Sequence, residues 1–153
     1  MLLEIAPRKL CVAASLAMAL HIDMDLVIED LFTDMEYPFD PPFDKYPKVP
    51  DMNVVADWAF ARCSQDMIPF EYCPVCTPHE TCKPVPVWYN GVEKFRKQLS
   101  YGEGVIECIT TRELKGHMVA WDGNKVFDPN GYVYDFEDMS AYRLKATRFW
   151  LCT

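Results

Sequence analysis

"GHMVAWDGNKVFDPNG", residues 116–131, is the stretch that decides the fold of the C-terminal part of the chain. Asp122-Gly123-Asn124 stands between two apolar runs, a strong signal for a two-residue hairpin turn with either Asp122-Gly123 or Gly123-Asn124 at its centre. In the first case Asp128 lies directly across from His117, and in the second Asp128 faces Val119 and is a diagonal neighbour of His117. Both turns put the two side chains on one face, roughly 5 to 8 Å apart and within reach of a hydrogen bond.

The histidine of this hairpin is suited to proton transfer. A carboxylate on one ring nitrogen of His117 would fix the tautomer and leave the other nitrogen free to accept a proton. Cys11 opens the apolar run "CVAASLAMAL", and both a helix N-terminus and a nearby imidazolium favour the thiolate, which is the nucleophilic form of cysteine. The small residues after Cys11 would let the helix pack closely against a sheet that carries His117. The sequence therefore predicts a candidate catalytic site of Cys11, His117 and Asp128.

Each of these residues also has a plain structural interpretation. A cysteine in an apolar helix more often contributes to packing, since free cysteine is among the most buried residue types. His117 could be a hydrogen-bonded histidine at a strand edge, and Asp128 before Pro129 could be an ordinary turn residue. Their joint spacing and the helix context favour the combined site.

Apolar spacing and capping residues predict helices in the first part of the chain and strands in the last part. The predicted helices cover residues 11–20, 24–32 (capped by Asp23), 53–65 and 92–99, with a short strand over 67–70 between the last two. β-branched and aromatic segments predict strands over 105–110, 117–121, 125–128, 132–136 and 146–152. Residues 33–52, rich in acidic side chains and proline, are predicted to be an irregular insertion. The chain is predicted to be one α+β domain over residues 1–153, a helical half followed by an antiparallel sheet.

The composition of the 153 residues fits one globular domain and narrows the range of partners. Half of the residues (50%) are hydrophobic and 25% are charged, which is typical of a folded chain rather than a disordered one. The 15 basic and 23 acidic residues give a formal net charge of −8, and no basic run is interleaved with aromatics. Nucleic acid is therefore not an expected partner.

The N-terminal segment has some features of a secretory leader: a basic pair, an apolar run from Leu10 to Leu20 and the triplet Ala17-Met18-Ala19. Against that interpretation, Glu4 and several apolar residues precede the basic pair. The run is also shorter than the ~20 apolar residues that span a bilayer. We therefore expect a buried helix in a cytoplasmic protein, of a bacterium or its host, with no membrane partner. The seven cysteines are then expected to be reduced thiols.

The order of the three site residues carries a family resemblance. Cys11 in "CVAASLAMAL", His117 in "GHMVAWDG" and Asp128 in "VFDPNG" resemble the papain-like cysteine peptidases, most closely the bacteriocin-processing peptidase domains and their small bacterial and phage relatives. The resemblance covers residues 8–32 and 104–135. It implies a papain-like fold, a peptide or protein substrate and no required cofactor, with Cys11 as nucleophile, His117 as proton carrier and Asp128 holding the imidazole.

The chain departs from this family pattern at the oxyanion hole. Such peptidases usually carry a glutamine about one and a half turns before the cysteine, whereas this region reads "LEIAPRK". The backbone N–H of Cys11, or the side chain of Arg8 or Lys9, could take over this role in part. Loss of one oxyanion donor typically costs ~10²- to 10³-fold in rate. The missing glutamine is therefore compatible both with a slow enzyme and with a non-catalytic descendant.

A second cluster of possible ligands, Cys73, Cys76, His79 and Cys82, lies in "CPVCTPHETC" within a Cys-rich loop around residues 72–84. Three thiolates and an imidazole could hold a structural zinc ion. Zinc sites usually join two separated pairs of ligands, however, and this segment leaves little chain to wrap an ion, although Cys63 could replace one ligand. A redox role for the Cys73–Cys76 pair is less favoured, because no βαβ pattern surrounds it. A proline-stiffened loop with incidental thiols is the plain alternative.

Three functional hypotheses follow from these patterns. The favoured one is a thiol-dependent hydrolase that cleaves a peptide or isopeptide bond, with an acyltransferase or deamidase using the same residues as close variants. The second is an inactive papain-like binding module. The third is an interaction domain stabilised by zinc at residues 73–82. The sequence does not predict the oligomeric state.

Overall fold

The structure is a computed structural model that describes residues 1–6, 10–32, 50–72 and 91–153. The described helices are α1 (Cys11–Leu20), α2 (Met24–Leu31), α3 (Met52–Cys63), α4 (Gly91–Leu99) and a 3₁₀ helix (Phe136–Tyr142). The described strands are β1 (Met67–Glu71), β2 (Gly104–Thr110), β3 (Gly116–Trp121), β4 (Val126–Asp128), β5 (Tyr132–Tyr134) and β6 (Leu144–Cys152). The predicted α+β class is confirmed.

The described strands form one antiparallel sheet in the order β1-β6-β2-β3-β4-β5. The pairing of the two longest strands, β2 and β6, is interrupted by a β-bulge: Glu107 pairs with Arg148 but Cys108 pairs with Ala146, which leaves Thr147 as the extra residue. The Thr147 hydroxyl donates a hydrogen bond of 3.0 Å to the carbonyl of Glu107. A bulge bends and twists its strands locally, and this one lies beside the candidate site.

The predicted hairpin forms between β3 and β4. Ala120 pairs with Phe127 and Trp121 pairs with Val126, so Gly123-Asn124 is the central pair, the second of the two alternatives. Gly123 has a φ of +93° at the first central position, which is the requirement of a type II′ turn. The Asp122 carboxylate accepts hydrogen bonds from the backbone N–H groups of the next two turn residues, Asn124 (2.9 Å) and Lys125 (2.7 Å). This turn fixes the register that sets Asp128 diagonal to His117.

Helix α1 lies at the centre of one core. Every residue of α1 after Cys11 is buried, as the all-apolar sequence predicts. This core joins α1, α2 and α3 to the sheet face that carries Val105, Met118 and Trp150. The alanines of α1 let the helix axis approach the strands closely.

The N-terminal ends of the next two helices are set by aspartates. The Asp23 carboxylate accepts a hydrogen bond of 2.9 Å from the N–H of Asp25, and the Asp51 carboxylate accepts one of 2.7 Å from the N–H of Asn53. The cap at Asp51 starts α3 at Met52, so the predicted irregular insertion over 33–52 is one residue too long. Residues 33–49 of that insertion lie outside the described part of the chain.

The opposite face of the sheet packs on α4 and the 3₁₀ helix. This second core includes Phe95 and Leu99 of α4, Met139 of the 3₁₀ helix, and Val119 and Phe149 of the sheet. The 3₁₀ helix corrects one prediction: the strand expected over 132–136 ends at Tyr134, and Phe136 already belongs to the helix. The described part of the chain contains no helix that is both long and apolar enough to cross a membrane.

Candidate functional site

The predicted pair of His117 and Asp128 is in hydrogen-bonding contact. The Nε2 atom of His117 lies 2.9 Å from Oδ1 of Asp128, and the two side chains are 9% and 2% exposed. His117 lies near the start of β3 and Asp128 at the end of β4, on strands joined by the type II′ turn. With Nε2 bonded to the carboxylate, the other ring nitrogen, Nδ1, is left for a second partner.

The Asp128 carboxylate is held by two further donors. The backbone N–H of Asn130 donates to its Oδ1 atom at 3.0 Å, and the hydroxyl of Tyr134 donates to its Oδ2 atom at 3.1 Å. Since a buried carboxylate is costly unless it is hydrogen-bonded, these donors offset the cost of burying Asp128 and fix the orientation of its side chain. Sequence reasoning missed Tyr134. Strand alternation across the Asp-Pro-Asn-Gly turn would have placed it on the same face as Asp128.

The second partner of His117 is the thiol of Cys11, at the first residue of α1. Burial alone raises the pKa of Cys11, but the hydrogen bond from His117, its positive charge and the backbone N–H groups of Met118 and Val12 outweigh burial, so the pKa is lowered. Burial lowers the pKa of His117, yet the hydrogen bonds to Asp128 and Cys11 and their charges raise it to about 9. Both shifts are in the direction that favours a thiolate and imidazolium pair.

The free edge of β3 positions the helix that carries Cys11. Strand β4 pairs with β3 only at Ala120 and Trp121, which leaves the edge at Met118 open. Helix α1 takes this place: the Ser15 hydroxyl donates a hydrogen bond of 2.9 Å to the carbonyl of Met118, and the backbone N–H of Met118 helps to lower the pKa of the Cys11 thiol. Cys11 and Ser15 are four residues apart and therefore lie on one face of the helix. Ser15, fully buried, is a positioning residue that the sequence analysis did not single out.

A cleft of about 650 Å³ opens beside the thiol and the imidazole, lined by Cys11, His117, Asp51, Glu107 and Arg148 among others. The charged side chains of the β-bulge in this cleft are paired with each other. Glu107 accepts a hydrogen bond of 2.8 Å from the indole of Trp150 and lies 3.7 Å from Nε of Arg148. The cleft is large enough for several residues of an extended peptide.

The backbone N–H of Cys11, one of the predicted oxyanion donors, lies at the N-terminus of α1, where the first N–H groups have no partner within the helix. Leu10, the residue before α1, supplies no side-chain cap. The N–H of Val12 lowers the pKa of the Cys11 thiol, and the N–H of Ala14 donates a hydrogen bond of 3.0 Å to the carbonyl of Leu10. Neither glutamine of the sequence lies at Cys11: Gln65 donates to the carbonyl of Leu20 at the other end of α1, and Gln98 belongs to α4. Arg8 and Lys9, the predicted partial substitutes, lie outside the described residues.

The other described cysteines differ from Cys11 in acidity. Burial and the charge of Asp128 raise the pKa of Cys108 well above its ordinary value, burial raises the pKa of Cys152 to about 12, and burial raises that of Cys63. Among the described thiols, Cys11 alone has a lowered pKa. The predicted zinc ligands Cys73, Cys76, His79 and Cys82 lie outside the described residues, within which no cluster of three possible metal ligands occurs.

Comparison of the chain with protein-family models, with curated protein sequences and with solved structures found no match. The class of protein therefore rests on the fold and the site. The chain is an α+β protein in which a cysteine at the N-terminus of a buried helix meets a histidine and an aspartate from neighbouring strands of an antiparallel sheet.

Proposed function

We propose that this protein is a papain-like thiol hydrolase that cleaves peptide or isopeptide bonds. The observation that carries the proposal is the position of His117: its imidazole lies 2.9 Å from the buried Asp128 carboxylate and lines an open cleft together with Cys11, whose pKa it lowers. Cysteine nucleophiles are activated in this way, by an adjacent imidazole that a third group orients. The resemblance of the three residues to papain-like peptidases supports the same conclusion.

The proposed reaction begins with the thiolate and imidazolium pair. The Cys11 sulfur attacks the carbonyl carbon, and the oxyanion that forms accepts hydrogen bonds from N–H groups at the start of α1. His117 donates its Nδ1 proton to the leaving amine, so the C–N bond breaks and a thioester remains on Cys11. A water molecule then attacks the thioester while His117 takes up its proton. Breakdown of the thioester releases the carboxylic acid and restores the ion pair.

The contacts of Cys11 and His117 explain how the proposed nucleophile is kept in a reactive form. Helix α1 directs its positive end at the sulfur, which stabilises the thiolate. Asp128 holds the imidazole by Nε2, which prevents rotation of the ring away from the thiol and stabilises its positive charge. An acyltransferase or deamidase would use the same first step with another acceptor or leaving group. The papain-like binding module without turnover is the competing hypothesis, and the two differ in thiol reactivity.

Alkylation with iodoacetamide tests the proposal directly. At pH 6 we expect Cys11 to react faster than Cys63, because the pKa of Cys11 is lowered and that of Cys63 is raised. Mass spectrometry of digested protein reads the two sites in one sample, with glutathione as the external reference. A Cys11 that reacts no faster than either reference would mean that the thiol only packs, and would leave the binding module as the better hypothesis.

Turnover is tested separately with a mixture of peptides of defined sequence. The expected result is new peptide ends that appear with the wild-type protein and are absent with alkylated protein. Rapid alkylation without any new ends would contradict hydrolysis of peptides while leaving the acyltransferase variant open to a test with added amines.

Metal analysis of the purified protein addresses the zinc hypothesis for Cys73, Cys76, His79 and Cys82.

Replacement of Tyr134 by phenylalanine should lower kcat about tenfold with KM nearly unchanged. The change removes one donor to the buried Asp128 carboxylate, and a hydrogen bond to a charged group contributes ~1.5 kcal/mol, which corresponds to about a tenfold change in rate. Tyr132→Phe is the matched control, because its ring is 51% exposed and lies on the same strand. Equal kcat values for the two variants would remove Tyr134 from the positioning of the site.

A further inference from the structure

We propose that a second cavity, next to His117, recognises a carboxylate on the leaving-group side of the substrate. This inference rests on the proposed function, because it describes the position of the cavity relative to the bond that the proposed hydrolase cleaves. The cavity has a volume of about 320 Å³ and is lined by residues that include Arg112, Arg143, Tyr142 and His117. Among the described residues, His117 is the only one that lines both this cavity and the cleft at Cys11.

The position of His117 between the two cavities defines the side of the substrate. A substrate carbonyl must lie at Cys11 in the first cleft, and the leaving amine must lie within reach of Nδ1 of His117 to receive its proton. The part of the substrate that follows the leaving amine therefore continues past His117. The second cavity borders His117 and not Cys11, so we place this part of the substrate in it.

The charge of the second cavity is positive in an acidic protein. Of the described arginines, Arg62, Arg96 and Arg148 form ion pairs, whereas Arg112 and Arg143 have no ion pair with any described residue. Both of these arginines line the same cavity, although the chain has a formal net charge of −8. The one acidic side chain of the lining, Glu113, is paired with Lys115 at 2.8 Å. Arg112 and Arg143, both exposed, therefore border one small cavity, and guanidinium groups pair with carboxylates through two parallel hydrogen bonds.

The backbone at Arg143 is a second observation. Arg143 ends the 3₁₀ helix in the left-handed conformation, with a φ of 59°, where glycine or asparagine is usually preferred. Its carbonyl accepts a hydrogen bond of 2.9 Å from the N–H of Thr111, the neighbour of Arg112. The hydrogen bond between the two segments therefore holds the backbone positions of Arg112 and Arg143 close to each other.

Equilibrium binding of three dipeptides tests this subsite without turnover. H-Gly-Glu-NH₂ carries a side-chain carboxylate, H-Gly-Gln-OH carries a terminal carboxylate and H-Gly-Gln-NH₂ carries neither. Binding to the Cys11→Ala variant is followed by NMR shifts of the arginine side-chain N–H groups and the His117 ring. We expect one of the acids to bind at least about fivefold more tightly than the neutral dipeptide, which is the range of a partly exposed charged contact. The acid that binds identifies the source of the carboxylate.

Three variants identify the groups responsible. Arg112→Gln and Arg143→Gly should each abolish most of the preference, and the glycine suits the left-handed backbone, so folding is retained. Arg96→Gln, at an exposed arginine that pairs with Glu137, should leave the preference unchanged. Equal binding of all three dipeptides, or a preference that survives both cavity variants, would overturn the subsite.

The two proposals fail in distinguishable ways. An acid preference in the dipeptide experiment together with an inert Cys11 thiol would support the subsite and contradict the hydrolase. Cleavage of peptides by the wild-type protein, with the same rate for glutamate and glutamine after the cleaved bond and for free and amidated ends, would support the hydrolase and overturn the subsite.

Discussion

Replacement of Cys11 by alanine is expected to abolish turnover. In a hydrolase whose nucleophile, base and carboxylate act together, loss of the nucleophile typically costs on the order of 10⁶-fold in kcat. The thiol is half-buried and small, and alanine is the best helix former, so α1 should keep its position through the hydrogen bond between Ser15 and Met118. Cleavage of the peptide mixture and unfolding of the variant by heat are the two measurements.

The control for this variant is Cys63→Ala, which changes a half-buried thiol at the end of α3 and should leave turnover unaltered. The fast alkylation by iodoacetamide at pH 6 that we expect at Cys11 should be absent in Cys11→Ala. It should persist at Cys11 in the control variant. Turnover that persists in Cys11→Ala, in a protein that unfolds at the wild-type temperature, would show that another group is the nucleophile.

Replacement of Asp128 by asparagine has the second largest expected effect, a loss on the order of 10³- to 10⁴-fold in kcat, as when the orienting carboxylate of a triad is neutralised. Asparagine has nearly the same shape but no negative charge, and it can present its N–H₂ group to the imidazole in place of an acceptor. The hydrogen bond to Asp128 is the largest of the effects that raise the pKa of His117 to about 9. Its loss should therefore lower that pKa.

The pH dependence of turnover follows from the same groups. The active form needs the thiolate and the imidazolium, so the rate should rise with pH through the lowered pKa of Cys11 and fall as the pH passes about 9, where His117 loses its proton. In Asp128→Asn the alkaline fall should begin at a lower pH. Asp135→Asn is the matched control, because Asp135 is exposed and pairs with Lys125 away from the cleft. An alkaline limb that stays in place in Asp128→Asn would contradict the assigned role.

The helices and most strands could be predicted from local patterns. The all-apolar run from Cys11 predicts a covered helix, Asp23 predicts the start of α2, and Asp122-Gly123-Asn124 predicts the hairpin. The type of turn, and hence whether Asp128 would lie opposite or diagonal to His117, depends on interactions across the whole strand pair and stayed open. The strand predicted over 132–136 is two residues too long, because the aromatic and β-branched residues of this segment favour a strand, whereas Phe136 begins the 3₁₀ helix whose Met139 is buried in the second core.

The candidate site was only partly visible in the sequence. Cys11, His117 and Asp128 follow from residue type, order and spacing, and the structure brings them together. The contacts of Tyr134 and Ser15, and the approach of Arg112 to Arg143, depend on how separate strands and helices pack. Such contacts between distant parts of the chain produce no local sequence pattern. A tyrosine, serine or arginine that makes such a contact cannot be distinguished in the sequence from one that is simply exposed to solvent.

The docking of α1 against the open edge of β3 also sets the moment at which the thiol becomes reactive. Ser15 and Met118, which hold this contact, are 103 positions apart in the chain. During synthesis Cys11 therefore emerges long before the histidine that ionises it, and until the sheet has formed it has the acidity of an ordinary thiol. The proposed nucleophile thus gains its lowered pKa only after the sheet has formed, when the nascent chain no longer offers its own unfolded segments to the cleft.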